Sequence, residues 1–379
     1  MDTLNKPGHL PSEEDISGPA GLCLDEWTMD YYNGLIQSDS IERLPMERKQ
    51  CLRVTKISYG GCMQKQSVIG DIINNIEKVI VGKTEVIEYA MIALLAEGHL
   101  LLEDVPGVGK TTLANAISKS IDCGFNRIQF TPDTLPSDIT GVSVYNMQTG
   151  QFEFSPGAVM NHIILADEIN RTSPKTQASL LEAMEEKQIS VDGRSYPLPR
   201  PFMVIATQNP IDYLGTYNLP EAQLDRFLMK LSIGYPSMAD EKRMADYYIK
   251  RSPLKSLEPV TDGKTVSAMQ EEVKSVQIHK DLVTYIIEIM DGTRKDPNIA
   301  LGASPRATLA LIRAAQAAAY YDGRDYCIPD DILKVIHPVI RHRLILSPEA
   351  RLNKLTAEKV LSRITAMLRV PILPVLNQA

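Results

Sequence analysis

Between Leu100 and Thr112 the chain reads Leu-Leu-Leu-Glu-Asp-Val-Pro-Gly-Val-Gly-Lys-Thr-Thr. An apolar run feeds a glycine-containing loop, and the loop opens a helical segment. Gly107 and Gly109, flanked by Pro106 and Val108, let backbone N–H groups turn toward a polyphosphate. The positive end of the following helix, which opens with Thr111 and Thr112, suits the same charge. Lys110 can reach β- and γ-phosphates, and the Thr111 hydroxyl can bind Mg²⁺. ATP and Mg²⁺ are the cofactors such a loop would take. Asp104 stands where the strict phosphate-loop pattern has its first glycine. At a strand exit, away from the phosphates, that departure is harmless.

Two further runs end in polar groups of matching chemistry. Ile163-Ile-Leu-Ala-Asp-Glu168 is apolar and closes on adjacent carboxylates. Asp167 can hold Mg²⁺ through its water shell, while Glu168 can polarise the water that attacks a γ-phosphate. Alone, such a pair reads as a loop start or a helix cap. Downstream of a phosphate loop it reads as a metal and water site. Met203-Val-Ile-Ala-Thr-Gln-Asn209 ends on an amide, Asn209, that could orient the same water. Two arginines remain, Arg226 in Leu219-Pro-Glu-Ala-Gln-Leu-Asp-Arg-Phe227 and Arg306 in Gly302-Ala-Ser-Pro-Arg306. An arginine that meets the charge building on the γ-phosphate is worth roughly 10³–10⁵ in rate. In isolation each of these two would be read as a surface ion pair.

These side chains need a scaffold that brings strand ends together. Leu100–Leu102, Arg127–Phe130, Ile163–Ala166 and Met203–Ala206 are short apolar runs and predict buried strands. Thr111–Ile121 and Pro174–Lys187 predict helices between them. Alternation of this kind implies a parallel sheet covered on both faces by helices. Two hairpins are expected to interrupt it, at Val142–Phe154 with Thr149-Gly150 near the turn, and at Gln188–Leu198 with Asp192-Gly193. From about Asp240 the strand signals disappear and helical periodicity takes over, as in Ala307–Tyr320. Residues 1–65 lack a long amphipathic period and hold the single tryptophan, Trp27. The expected organisation is an extension at 1–65 (a docking element or a loosely ordered tail), an α/β core at 66–236 and a helical lid at 237–379.

A net charge of −7 gives no general electrostatic reason to expect nucleic acid or an anionic membrane as the main partner. Cys23, Cys51, Cys62, Cys123 and Cys327 are scattered and do not form a zinc pattern, so free thiols in a reducing cytoplasm are expected. The most apolar stretch, Ala90–Leu102, is broken by Glu97, Gly98 and His99 and is too short to span a bilayer. His99 reads as a boundary residue and not a ligand. The run His337–Arg343 reads as a solvated helix junction and not an anion site.

From Ile69 to Leu346 the chain resembles the MoxR group of AAA+ ATPases. The resemblance rests on Gln129-Phe-Thr-Pro-Asp-Thr-Leu-Pro-Ser-Asp-Ile-Thr-Gly141, Leu165-Ala-Asp-Glu-Ile-Asn-Arg171, Gln177-Ala-Ser-Leu-Leu-Glu-Ala-Met184, Ala206-Thr-Gln-Asn-Pro210 and Pro220-Glu-Ala-Gln-Leu-Asp-Arg-Phe227. It implies an α/β P-loop AAA+ core with two β-hairpin insertions, an all-α lid, and a homo-oligomeric ring, usually a hexamer, with ATP at subunit boundaries. By this likeness Lys110 and Thr111 are the Walker A pair, Asp167 and Glu168 the Walker B pair, and Asn209 the first sensor. Arg226 is the finger that enters a neighbour's site, and Arg306 is the second sensor on the lid. Val81 and Gly82 belong to the strip beside adenine, and Arg171 to an intersubunit salt bridge. The hairpins would face the pore side of the ring. Asn218 and Ser173 stand where prolines are common. The implied function is chaperone-like activation or assembly of a client protein, with a von Willebrand factor A domain protein as a frequent partner.

Two other readings use the same residues. A nucleic-acid motor would share the hairpins, but Gln188–Pro197 contains only Arg194 as a cation, which disfavours tracking on DNA. A nucleotide-gated scaffold without turnover would have no need of Glu168.

Overall fold

The computed structural model describes residues 67–372, apart from 210–216, 218 and 251–252. The expected extension at 1–65 lies outside them.

Five strands form one parallel sheet in the order β2-β5-β8-β1-β9. They are β1 (Leu100–Glu103), β2 (Phe125–Gln129), β5 (Ile163–Asp167), β8 (Met203–Gln208) and β9 (Met229–Leu231). The sequence-predicted strands are all present. Met229-Lys-Leu231 joins them as an edge strand beside β1, which the sequence does not announce.

The apolar runs are continuous because both faces of the sheet are covered. Along β1, Leu100 and Leu102 enter one core while Leu101 enters the other. Ile163 and Leu165 part from Ile164 and Ala166 in the same way, as do Met203 and Ile205 from Val204 and Ala206. The first core is closed by the helices Thr84–Leu95 and Lys110–Ser120 and continues into the C-terminal helices; the second is closed by Pro174–Glu186. Ser173, where the family commonly has proline, caps that last helix by accepting from Thr176 N–H.

Both expected hairpins form. The first pairs β3 (Gly141–Asn146) with β4 (Gln151–Pro156), the second β6 (Gln188–Val191) with β7 (Arg194–Pro197). Asp192 and Gly193 both have positive φ, as a two-residue hairpin turn requires. Phe154 stacks on Tyr196 with ring centroids 4.0 Å apart, so the hairpins touch. Beyond this contact Tyr145, Met147 and Phe152 are exposed.

The C-terminal part is helical, built around Lys280–Lys295, Pro305–Tyr321, Pro329–Ile340 and Ala357–Met367. It also carries one short antiparallel ladder, β10 (Ile299–Leu301) with β11 (Ile345–Leu346), so strands do not vanish entirely after Asp240. Two residues are too few to leave a period-2 signal.

Candidate nucleotide site

At the exit of β1 the chain turns through Gly107 and Gly109, with φ of 87° and 96°. A side chain would be strained at either value. Nothing lies within 4 Å of the place where a Cβ on Gly107 would stand, so this side of the loop is open. Gly109 then starts the helix Lys110–Ser120 with no side-chain cap, which leaves the first N–H groups without a capping side chain. An uncapped N-terminus, two glycines of positive φ and a lysine fit a polyphosphate in chemistry. Ile80 packs 3.8 Å from the Cβ direction of Gly109, which brings the turn containing Val81 and Gly82 up to the loop.

Lys110 is buried, and its Nζ donates to the backbone carbonyl of Asp104 at 2.8 Å. The Asp104 carboxylate points the other way. It accepts from Ser232 Oγ at 3.0 Å, from Gly234 N–H at 3.2 Å and from Ile233 N–H. The residue that replaces the usual glycine therefore ties β1 to the chain leaving β9 and keeps clear of the cradle.

Adjacent strands carry the remaining groups to the same edge. β8 lies between β1 and β5, so their ends span about 10 Å at the usual interstrand spacing. Asp167 is buried at the end of β5. Its Oδ1 accepts from Thr207 Oγ1 at 2.6 Å, and its Oδ2 pairs with Arg127 at 2.7 Å. With Oδ1 taken by Thr207 and Oδ2 by two N–H groups of Arg127, this carboxylate suits a cation reached through water better than a directly ligated one. Thr207 Oγ1 also accepts from Glu168 N–H at 2.8 Å. One hydroxyl thus fixes both acidic residues. Glu168 itself has φ of 57°, a left-handed conformation that lifts it from the strand into the following turn.

Glu168 is not presented freely. Gln129 Nε2 donates to Glu168 Oε2 at 2.9 Å, and Arg171 Nε lies 3.3 Å from the same oxygen. Arg171, which the family likeness suggests for an intersubunit bridge, here pairs within its own chain. Asn209 is buried where β8 ends, on the strand between the phosphate loop and the acidic pair.

The two arginines are elsewhere. Arg226 Nε lies 3.2 Å from Glu185 Oε2, and Arg306 binds Glu185 Oε1. They line one cavity of about 250 Å³ with Gly98, His99, Asp225 and Arg313. Gly98 and His99 precede β1, whereas Lys110 follows it. The arginines therefore sit at the beginning of a strand whose far end carries the phosphate loop, about 13 Å away along β1. The family likeness gives Arg226 as the finger that enters a neighbour's site and Arg306 as the second sensor on the lid. The single chain brings the arginines to each other and not to Lys110.

Around this cavity the sequence reading needs correction. His337–Arg343 is not a solvated junction. Arg343 is buried, and its guanidinium pairs with Asp225 Oδ1 at 2.7 Å and donates to the carbonyls of Asp225, Phe227, Leu228 and Val339. Burial pulls its pKa down to about 10 against the pull of Asp225, so it remains charged at neutral pH. His342 Nε2 meets the Phe227 carbonyl at 3.1 Å, and burial holds this imidazole well below its ordinary pKa. His99 is a buried three-way joint. Its Nδ1 accepts from Val204 N–H at 3.0 Å, and its Nε2 faces the Met184 carbonyl at 3.1 Å.

Thr207, Gln129, Arg127, Glu185 and Asp225 were missed by sequence reasoning. A usable signal existed for Thr207, a polar side chain near the C-terminal end of an otherwise apolar strand, and for Gln129, which closes β2. Among the described residues no group of His, Cys, Asp and Glu is arranged to hold a structural metal. Cys123 and Cys327 are free thiols, which burial pushes up to about 11 and 12. No helix among the described residues is long and apolar enough to cross a membrane.

A parallel sheet with a phosphate loop, an acidic strand end and a helical lid defines an ATPase of the AAA+ class. Residues 99–229 match the family model described as ATPase family associated with various cellular activities (AAA), and residues 291–364 match the AAA lid domain. The chain is 50% identical over 305 residues to the uncharacterised protein YeaC of Bacillus subtilis, covering 80% of this chain and 95% of that one. It is 40% identical over 308 residues to chaperone MoxR1 of Mycobacterium tuberculosis, with 79% and 81% covered, and 31% identical over 297 residues to protein MoxR of Methylorubrum extorquens, with 72% and 86% covered. A crystal structure of a candidate ATPase from Cytophaga hutchinsonii superposes with a TM-score of 0.78 at 36% identity, covering 85% of this chain and 99% of that one. The chain belongs to the MoxR family of AAA+ ATPases.

Proposed function

We propose that this ATPase hydrolyses ATP with Mg²⁺ at the boundaries of a homo-oligomeric ring, on the family pattern a hexamer, and spends the cycle on remodelling a client protein. The observation that carries the reading is the separation of Arg226 and Arg306 from Lys110 by the length of β1. Groups at opposite ends of one strand cannot close on one phosphate, but successive copies in a ring can bring them together through a heterologous interface.

In this reading Gly107, Gly109, Lys110 and the N–H groups of Thr111 and Thr112 hold the phosphates, with Val81 and Gly82 beside the base. Thr111 and Asp167 hold the metal. The bound nucleotide supplies the scissile phosphoanhydride, and the metal supplies charge that offsets its negative oxygens. Asn209 orients a water, and Glu168 takes the proton that this water loses. Arg226 and Arg306 of the preceding subunit meet the negative charge that builds in the transition state.

The client is read as a polypeptide. The first hairpin offers exposed Tyr145, Met147 and Phe152 and has no Lys or Arg between Gly141 and Pro156, which suits apolar segments and not phosphates. A von Willebrand factor A domain protein as partner follows from the family likeness. A cytoplasmic location agrees with the free thiols Cys123 and Cys327.

The test mixes two inactive variants. Glu168→Gln keeps its arginines, and Arg226→Ala keeps its own water site. Alone each should be nearly silent, while an equal mixture should regain about one quarter of wild-type turnover, the chance that two random neighbours meet in productive order. No recovery in rings shown to be mixed would contradict the reading. ATP-bound rings of the wild type without any turnover would favour the scaffold instead.

A further inference from the structure

Arg226 and Arg306 come from distant parts of the chain, the core and the lid, yet they are joined through one half-buried carboxylate. Asp225 directly precedes Arg226. Its Oδ2 accepts from Ser304 Oγ at 2.8 Å, and Ser304 is the N-cap of the lid helix whose second residue is Arg306. Its Oδ1 accepts from Arg343 Nε at 2.7 Å. Arg343 then donates to the carbonyls of Asp225 and Phe227, on both sides of Arg226, at 3.2 and 2.8 Å. The outer edge is closed by Glu185, one oxygen to each arginine. Residues of core and lid thus form a closed loop through Asp225, Arg226, Glu185, Arg306 and Ser304.

We propose that Asp225 and Arg343 are positioning residues which lock Arg226 and Arg306 into one rigid receptor, so that the lid cannot move without carrying both arginines toward the neighbouring phosphate. The inference rests on the reading that these arginines act across a subunit boundary. Its physical basis is the number of fixed contacts. Arg343 spends its donors on the turn that carries Arg226, and a guanidinium buried in this way holds backbone carbonyls at fixed positions. Arg226 uses Nε on Glu185, which leaves its terminal nitrogens for an anion. Without the Asp225 carboxylate the arginines would still share Glu185, but Ser304 and Arg343 would lose their common anchor beside Arg226. An error of about 1 Å in their placement can cost about 100-fold in rate.

The experiment assigns Asp225 to a complementation group. Asp225→Asn should lower kcat about 100-fold while the variant binds a fluorescent ATP analogue as the wild type does, because its own phosphate loop is intact. Mixed in equal amounts with Glu168→Gln, it should recover about one quarter of wild-type turnover, and mixed with Arg226→Ala it should recover none. The inference is overturned if Asp225→Asn turns over at the wild-type rate. It is equally overturned if the recovery is reversed, appearing with Arg226→Ala and not with Glu168→Gln, since the defect would then lie in the subunit's own site. Should Asp225→Asn fail to fold, Ser304→Ala keeps the Asp225–Arg343 ion pair and loses the bond to Asp225 together with the helix cap on Ala307 N–H. It should lose about 5-fold and sort into the same group, and sorting with Glu168→Gln instead would overturn the proposal. If Arg226→Ala alone retains full turnover while Glu168→Gln has none, the cross-boundary reading has failed, a result distinct from failure of Asp225 to position it.

Discussion

Gln129, at the end of β2, donates to Glu168 Oε2 at 2.9 Å, although in the sheet register it stands opposite Asp167. The link crosses one place along the neighbouring strand because Glu168 has already left β5 in a left-handed turn. A carboxylate held this way, with Arg171 on the same oxygen, is a proton acceptor kept occupied.

If so, Gln129→Ala should raise basal ATP turnover by up to about 10-fold, the order expected from removing one hydrogen bond to a charged group. Turnover measured at saturating ATP checks this. A fall, with nucleotide affinity unchanged, would mean that Gln129 aligns Glu168 and does not restrain it.

Gly107→Val should fold and lose nucleotide. A Cβ there meets no atom within 4 Å, but the positive φ would be strained and the loop backbone displaced from the turn that the phosphates need. The strain should cost roughly 1–3 kcal/mol of stability. Affinity for a fluorescent ATP analogue should drop by more than 10-fold, or about 1.4 kcal/mol. Retained affinity would place the phosphates elsewhere.

Asp104→Gly would restore the usual phosphate-loop residue, yet should make the protein worse. It removes a carboxylate that accepts from Ser232, Ile233 and Gly234, at an expected cost of about 3 kcal/mol in urea unfolding. ATP affinity should change little. The reverse pattern, stable protein with altered affinity, would show that Asp104 faces the nucleotide.

His99 makes folding pH-dependent. Burial, reinforced by Lys187 and Arg313 and opposed by the Met184 carbonyl, lowers its pKa to about 4. The folded chain therefore binds fewer protons here than the unfolded chain, whose imidazole titrates near 6.5. The stabilising effect of the neutral ring is complete above pH 6.5 and is lost progressively as pH falls to 4, by at most about 3 kcal/mol. His342 acts in the same direction. Urea titrations at several pH values should show a shallower slope for His99→Gln than for wild type between pH 6.5 and 4. An unchanged slope would remove His99 from the effect.

The parts legible in the sequence were those where local pattern and final environment coincide. Ile163–Ala166 and Met203–Ala206 are apolar without alternation because both sheet faces are buried, and the polar residues that end them stand at the site edge. The phosphate loop was legible because its backbone does the work and glycine marks it. Met229-Lys-Leu231 was not legible as a strand, since three residues interrupted by Lys230 carry no periodicity. The burial of Arg343 was not legible either. Charged residues in a short run read as solvated, and only the fold shows that carbonyls of a turn over a hundred residues away surround the guanidinium. Glu185 escaped for a related reason, because its two partners come from different parts of the chain. The site residues Arg226 and Arg306 were named from the family likeness, but their meeting point at the start of β1 came from the structure.

The most direct test of a site completed by a neighbour is ATP turnover per subunit measured against protein concentration, with the oligomeric state followed on the same samples. Turnover should be negligible where the chain is monomeric and should rise in step with ring formation, for the wild type and not for Glu168→Gln. Turnover per subunit that is constant down to monomeric concentrations would contradict it, because Lys110, Glu168 and the arginines would then have to meet within one chain.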